Sequence, residues 1–254
     1  MKKHAFAAVL TAMTLGALTP LSALAAGSDS IHVNVDRVVI QPDEIDQHRE
    51  VPLYVSVDMP HPELTSVEFG LSLDERCTYD FITSSKTAKE IGGKPLDCKT
   101  VWSSNGNFLW VIWAVADPDD SVGTFALLNV TIPEDAGYGD CYTLDYQSKA
   151  NPTSSRPDKS HLWLNVNGED INYNDSVTWD DGYILIAPKR GDVNLDQEVD
   201  ILDVIMLNKY LLGSSSLGIA GKYAAETNGD DQVDATDSLN VLKYVIQLID
   251  TLEH

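Results

Sequence analysis

Asp192-Val193-Asn194-Leu195-Asp196-Gln197-Glu198-Val199-Asp200-Ile201-Leu202-Asp203 places oxygen-bearing side chains at positions 1, 3, 5, 9 and 12 of a twelve-residue run. Thirty-four residues later, Glu226-Thr227-Asn228-Gly229-Asp230-Asp231-Gln232-Val233-Asp234-Ala235-Thr236-Asp237 repeats the arrangement. Calcium takes six to eight oxygens at about 2.3–2.6 Å, and a loop with donors at these positions can wrap one ion. The first loop offers the side chains of Asp192, Asn194, Asp196, Asp200 and Asp203 with the Glu198 carbonyl. The second offers Glu226, Asn228, Asp230, Asp234 and Asp237 with the Gln232 carbonyl, so two calcium ions are expected. Two acidic turns capping two helices would be the simpler reading. Matched register, a valine at position 8 of both loops and a shared Lys-Tyr pair downstream (Lys209-Tyr210, Lys243-Tyr244) argue against coincidence. Val199 and Val233 are expected to pair the loops through a short strand bridge. Position 6 is Gln197 and Asp231 where glycine is common, and the longer Glu226 at position 1 makes the first site the more regular one.

A helix is expected after each loop. Val204, Leu207 and Leu211 fall on one helical face with Ile205 and Leu212 beside them, and Leu239, Leu242, Ile246 and Ile249 repeat the spacing. Pro188 and Gly191 disfavour a helix running into the first loop, and neither loop is expected to have an entering helix. The change of period near residue 190 marks a boundary with a linker of a few residues, which predicts closely coupled modules.

Upstream of that boundary the chain alternates with period two. Ile31-His32-Val33-Asn34-Val35-Asp36 and Val67-Glu68-Phe69-Gly70-Leu71-Ser72-Leu73 are clear cases. Further runs are Val55–Asp58, Phe108–Ala116, Thr124–Ile132, Cys141–Tyr146, His161–Val166 and Val177–Ile186, with turns such as Asn105-Gly106 and Asp181-Gly182 between them. Eight or nine short strands in this span predict an all-β antiparallel sandwich of two sheets over residues 28–188, followed by a small all-α calcium-binding module over 191–254. A polar segment from Gln147 to Ser160 reads as a long loop.

Residues 1–25 read as a secretory signal peptide: a basic start at Lys2-Lys3, an apolar run, then Ala23-Leu24-Ala25. No later run approaches the roughly 20 apolar residues of a bilayer span, so a secreted, extracellular protein without membrane insertion is expected. The chain carries 17 basic and 39 acidic residues, a net charge of −22, which repels phosphate backbones and disfavours nucleic acid as a partner. Of Cys77, Cys98 and Cys141, at most one internal pair can form. Cys77–Cys98 closes the shortest loop, and free thiols are equally compatible with the sequence. Gly-x-Ser-x-Gly and His-Glu-x-x-His are absent, the histidines are scattered, and a sandwich of this size leaves little room for the carboxylate-flanked cleft of a glycosidase. No enzyme activity is expected.

The duplicated loop-plus-helix unit from Gly191 to about Ile249 resembles the dockerin module of cellulosome proteins, whose loops read D-x-N-x-D-x-x-x-D/N-x-x-D. That resemblance implies folding by calcium and binding to a cohesin domain on another protein. Residues Ile31–Pro188 more loosely resemble a cohesin, a jelly-roll sandwich. The features are Trp113-Ala114-Val115-Ala116-Asp117, Val122-Gly123-Thr124-Phe125-Ala126-Leu127-Leu128-Asn129-Val130, and a closing Gly182-Tyr183-Ile184-Leu185-Ile186. Together they imply a non-catalytic adaptor scaffoldin in a polysaccharide-degrading complex. It would dock onto a cohesin of a larger scaffoldin and present its own cohesin to a dockerin-bearing enzyme or other protein. It is expected to be a monomer, reaching a cell surface only through a partner.

In dockerins partner choice falls on loop positions 10 and 11 and on the exit helix. The resemblance therefore assigns partner contacts to Ile201, Leu202, Asn208 and Lys209 in the first repeat and to Ala235, Thr236, Leu242 and Lys243 in the second. The first surface is apolar and the second small and polar, which predicts one preferred binding orientation. The alternative for Ile201 and Leu202 is packing against the sandwich. In the sandwich, Trp110 and Trp113 lie on opposite faces of one strand, and either is a partner-contact candidate. The alternative function is a dockerin-borne carbohydrate-binding module, with Trp102, Trp110, Trp113, Trp163 and Trp179 as the available rings.

Overall fold

The computed structural model describes residues 31–58, 64–82, 101–104, 108–114, 123–146, 163–166, 169–172 and 177–252. The signal-peptide segment, Cys98, the Gln147–Ser160 segment and the rest of the chain lie outside the described residues. Among the described residues, thirteen strands form the N-terminal part: β1 (Ile31–Val35), β2 (Arg37–Ile40), β3 (Glu50–Asp58), β4 (Leu64–Leu73), β5 (Thr78–Ile82), β6 (Val101–Ser104), β7 (Phe108–Ala114), β8 (Gly123–Thr131), β9 (Cys141–Tyr146), β10 (Trp163–Val166), β11 (Glu169–Asn172), β12 (Val177–Asp180) and β13 (Gly182–Ile186). One sheet runs β12-β1-β3-β8-β5. The other runs β11-β10-β4-β9-β13-β2, with β7 on β4 and β6 on β7. A 3-10 turn, Pro42–Gln47, joins β2 to β3.

Alternation sorts the side chains. Val33 and Val35 from β1, Val51, Leu53 and Val55 from β3, and Leu128 and Val130 from β8 face inward from one sheet. Leu71 and Leu73 of β4, Tyr142 and Leu144 of β9, and Ile184 and Ile186 of β13 meet them from the other. Each fully buried aliphatic of this kind contributes about 1.5–3 kcal/mol of transfer free energy. Leu185 is also fully buried although it lies outside this cluster, because the helical part of the chain packs on β13.

The expectation of a purely antiparallel sandwich needs correction. β1 pairs parallel with β12, and β2 pairs parallel with β13. The first and last strand segments travel side by side in the same direction, and both cross from one sheet to the other, at Asp36 and Asp181. At the crossing Asp36 takes the Tyr54 amide onto its carboxylate at 2.9 Å, and Asp181 takes the Tyr146 amide at 2.7 Å. A Cβ on Gly182 would lie 2.4 Å from Cγ1 of Val35 and 2.7 Å from the Asp36 carbonyl, so only glycine lets the two backbones pass.

Cys77 is a free thiol buried in the sandwich core, and burial pushes its pKa up to about 11. Cys98, the other half of the pairing considered above, lies outside the described residues. Cys141 is also free.

The C-terminal part has three helices: α1 (Ile201–Leu211), α2 (Ile219–Ala225) and α3 (Ala235–Val245). α2 corrects the expectation that neither loop has an entering helix, because it ends directly before Glu226. Its buried face is Ala220, Gly221, Ala224 and Ala225, too small to show an apolar stripe, and the lack of bulk lets it approach the Val193 carbonyl closely. The core here is Val193, Val204, Leu207, Leu217, Ala225, Val241 and Leu252. Ile205, Leu212, Leu239 and Ile246, expected on or beside the apolar faces, are 45–83% exposed. On α3 the inward face is Ser238 and Val241, with Leu242 and Val245 packed beside them. The valines at position 8 pack on this core, and residues 199 and 233 carry no strand bridge.

Leu252 folds back over the start of the module. A Cβ on Gly191, which has a φ of 90°, would lie 2.4 Å from Cδ1 of Leu252 and 2.9 Å from Val199. Leu252→Ala should cost about 2 kcal/mol, the lower end for a buried leucine, measured as the loss of helical signal on heating. Gly182→Ala should cost about 1–3 kcal/mol through overpacking at the crossing, read from urea unfolding of the sheet signal. Wild-type stability in that variant would mean that Val35 and the Asp36 carbonyl do not confine the glycine.

Candidate calcium loops and their contacts

The two loops have the same backbone. Positions 4 and 6 adopt positive φ in both, at Leu195 (63°) and Gln197 (75°) in the first and at Gly229 (77°) and Asp231 (62°) in the second. A left-handed non-glycine residue is costly, and Asp accepts it more readily than Leu or Gln. At position 3 the Asn194 side chain receives the Asp196 amide at 2.9 Å, and Asn228 receives that of Asp230 at 3.1 Å. At position 5 Asp196 receives the Glu198 amide and Asp230 that of Gln232, both at 2.9 Å.

Positions 9 and 12 join each loop to its helix. α1 and α3 begin at position 10, two residues before the loop ends, with Asp200 and Asp234 as N-caps. Asp200 receives the Leu202 amide at 2.7 Å, and Asp234 receives the Thr236 amide at 2.6 Å. Each cap is closed by the aspartate at position 12, giving a capping box in which Asp203 takes the Asp200 amide at 2.8 Å and Asp237 takes that of Asp234 at 2.9 Å. The other oxygen of Asp203 accepts from the amides of Val193 at 2.8 Å and Asn194 at 3.1 Å. In the second loop Asp237 accepts from the amide of Thr227 at 2.7 Å and its hydroxyl at 3.0 Å.

Position 1 differs between the loops. Asp192 is fully buried, with Oδ1 taking the Asp196 amide at 3.1 Å and Oδ2 taking the Gln197 amide at 2.8 Å. The Tyr138 hydroxyl, from the sandwich, donates to Oδ2 as well. Burial, and then this bond to Asp192, holds the Tyr138 phenol above its usual range, so it is a donor at neutral pH. Glu226 instead takes the amides of Asn228 at 3.0 Å and Gly229 at 2.6 Å on Oε1, while its Oε2 lies 3.6 Å from Arg190. Arg190 also stacks on Tyr223 with 3.9 Å to the ring centroid.

The donor set fits a hard cation. Every side chain at positions 1, 3, 5, 9 and 12 offers oxygen, the chemistry calcium prefers. Asp192, Asp203 and Asp237 are fully buried, and none of the three takes part in an ion pair among the described residues. Burial raises the Asp203 pKa, the amides of Asp200, Asn194 and Val193 lower it, and the charge of Asp192 raises it further. Two buried carboxylates near one another are a costly arrangement that a bound cation relieves. Among the described residues, however, no three acidic, histidine or cysteine side chains converge into a ready cage. Their oxygens are turned to the backbone amides given above.

Of the expected partner contacts, Ile201 (48% exposed) and Leu202 (54%) lie open to solvent on the first turn of α1, so they do not pack on the sandwich. Asn208, Lys209, Ala235 and Thr236 are exposed, while Leu242 and Lys243 are half-buried. Asn208 accepts a hydrogen bond from Ser238 at 3.1 Å, tying α1 to α3. Trp110 and Trp113 lie on β7, opposite Gly70 and Val67 of β4. Trp179 is half-buried against Tyr146, with ring centroids 4.9 Å apart. The contacts of Tyr138 and Arg190 were missed from sequence, since nothing in the spacing brings residue 138 to residue 192.

No curated protein matches the chain. Among solved structures, a type III cohesin from the ScaE cell-surface anchoring scaffoldin of Ruminococcus flavefaciens is similar at 13% identity, covering 62% of this chain and 87% of that one, with a TM-score of 0.46. A ScaC cohesin of Acetivibrio cellulolyticus, solved with a ScaB dockerin, is similar at 16% identity, covering 61% and 98%, with a TM-score of 0.44. A non-cellulosomal cohesin from Archaeoglobus fulgidus is similar at 12% identity, covering 62% and 91%, with a TM-score of 0.43. Residues 190–246, which hold both loops and all three helices, match the family model of the dockerin type I domain.

Proposed function

We propose that the chain is a non-catalytic adaptor scaffoldin whose dockerin, folded around two calcium ions, binds a cohesin on a larger scaffoldin. The sandwich over residues 28–188 is then the chain's own cohesin, offered to a dockerin-bearing enzyme or other protein in an extracellular polysaccharide-degrading complex. One observation carries the docking half. Ile201, Leu202, Ile205 and Leu212 leave a row of large apolar side chains exposed along α1, next to a loop whose geometry is repeated at Glu226–Asp237. Exposed aliphatics of this size in a chain with net charge −22 mark a surface that a partner covers.

The asymmetry of the two repeats sets the direction of docking. Positions 10 and 11 are exposed in both, but they are Ile201-Leu202 in one and Ala235-Thr236 in the other. A partner seated on α1 buries large aliphatics at positions 10 and 11 as well as at Ile205 and Leu212, whereas α3 offers only the equivalents of the last two, Leu239 and Ile246, so one orientation predominates. The half-buried setting of Trp179 removes it from any flat row of exposed rings and counts against the carbohydrate-binding alternative.

Exchanging Ile201-Leu202 with Ala235-Thr236 should reduce affinity for a cognate cohesin by at least tenfold, and chelation of calcium should abolish binding. Both are read by calorimetry of the full chain against a panel of cohesins. Equal affinity before and after the exchange would mean that the partner does not sit on α1.

A further inference from the structure

We infer that Tyr138, a residue of the sandwich, is a positioning residue for the first calcium loop, so that the sandwich helps set the affinity of that site. The inference rests on the reading of Asp192–Asp203 as a calcium loop and adds a residue from outside the dockerin to it. Tyr138 sits in the turn between β8 and β9, and that turn is pinned on several sides. The Gly137 amide binds Asp140 at 2.9 Å, and Arg76 pairs with Asp140 at 3.4 Å. The Gly139 amide donates to the Ile186 carbonyl at 3.1 Å, and Ile186 returns a bond to the Asp140 carbonyl at 2.8 Å. The phenol therefore has a fixed origin.

From there the hydroxyl reaches across the module boundary. It donates to Oδ2 of Asp192 and accepts the Lys189 amide at 2.9 Å, so one oxygen ties the turn, the linker and the loop together. Oδ2 also holds the Gln197 amide, while Oδ1 holds only the more distant Asp196 amide at 3.1 Å among its recorded bonds. The carboxylate is thus clamped through Oδ2, which fixes the direction in which Oδ1 is presented to the loop. Groups that orient a metal-binding carboxylate in this way typically change metal affinity 10–100-fold when removed. In the second loop the equivalent carboxylate, Glu226, is approached by Arg190, a cation, rather than a phenol. The two sites are therefore unequal, and only the first is coupled to the sandwich through Tyr138.

The test is calcium titration of the full chain by calorimetry, comparing wild type with Tyr138→Phe, Asp192→Asn and Tyr79→Phe. Tyr79 is a control within the same sandwich, its hydroxyl bonded to the Asp74 carbonyl at 2.8 Å far from either loop in sequence. Tyr138→Phe should weaken one class of site about tenfold, the same class that Asp192→Asn weakens. The other class and the Tyr79→Phe isotherm should match wild type, and unfolding of the sandwich in chelator should be unchanged. Two unaltered calcium classes in Tyr138→Phe would overturn the inference while leaving the calcium reading intact. A parallel fall of both classes with loss of folded signal would also overturn it, because the tyrosine would then be only structural. No calcium uptake by the wild-type chain would sink both readings together.

Discussion

Asp203 and Asp237 hold the C-terminal module together. Each buried carboxylate spans its loop, one oxygen on the backbone near position 2 and the other on the amide of the N-cap at position 9. The loop cannot open without uncapping the helix, and the helix cannot fray at its start without releasing the loop. Charge-assisted bonds of this kind contribute about 1.5–3 kcal/mol each, and the cap adds about 1 kcal/mol. The core beneath is small, built on Val193, Val204, Leu207 and Val241, so these bonds carry a large share of the module's order. The same carboxylates are the oxygens that would hold an ion. Cap, loop closure and cation binding thus draw on the same atoms, which is why calcium and helix content are expected to rise together.

The sandwich supplies a rigid edge for this small unit. The parallel pairings β1–β12 and β2–β13 bring the beginning and end of the sandwich together, and β13 runs directly into the linker. Leu185 is buried on the face that α2 covers, and the Gly191 amide bonds the Ala224 carbonyl at 2.7 Å immediately after the linker. Lys189 and Arg190 reach Tyr244 and Tyr223 respectively. The junction is a packed contact with few degrees of freedom.

The loops were legible because their ligand spacing repeats and their chemistry is unusual. The change from strands to helices was legible because the apolar period changes from two to 3.6. Strand alternation marked β1, β4 and β9 well. It marked β2 poorly, because Arg37–Ile40 is four residues long and continues β1 after a kink. The parallel pairings were invisible, since alternation tells which face a residue takes but not which strand lies beside it. α2 was missed because its buried face is made of alanine and glycine. The apolar faces of α1 and α3 were drawn too wide: Ile205 and Ile246 fit the helical stripe, yet both are solvent-exposed. Periodicity counts apolar residues, and it cannot separate those that fill a core from those left exposed.

The two repeats are alike where the backbone constrains them and different where it does not. Positive φ at positions 4 and 6, the cap at position 9 and the clamp at position 12 recur because each satisfies backbone groups that both loops must satisfy. Positions 10 and 11 lie on the outer surface of the first helical turn, where the fold places little demand on the residue. Position 1 faces the junction, and there the neighbours differ: Tyr138 on one side and Arg190 on the other. Divergence also reaches the interior of the loops, where Val193 sits in the core while Thr227 gives its hydroxyl to Asp237. A duplicated unit of this kind loses its internal two-fold symmetry on its solvent face, at position 2 inside the loops, and in how its opening carboxylates are held.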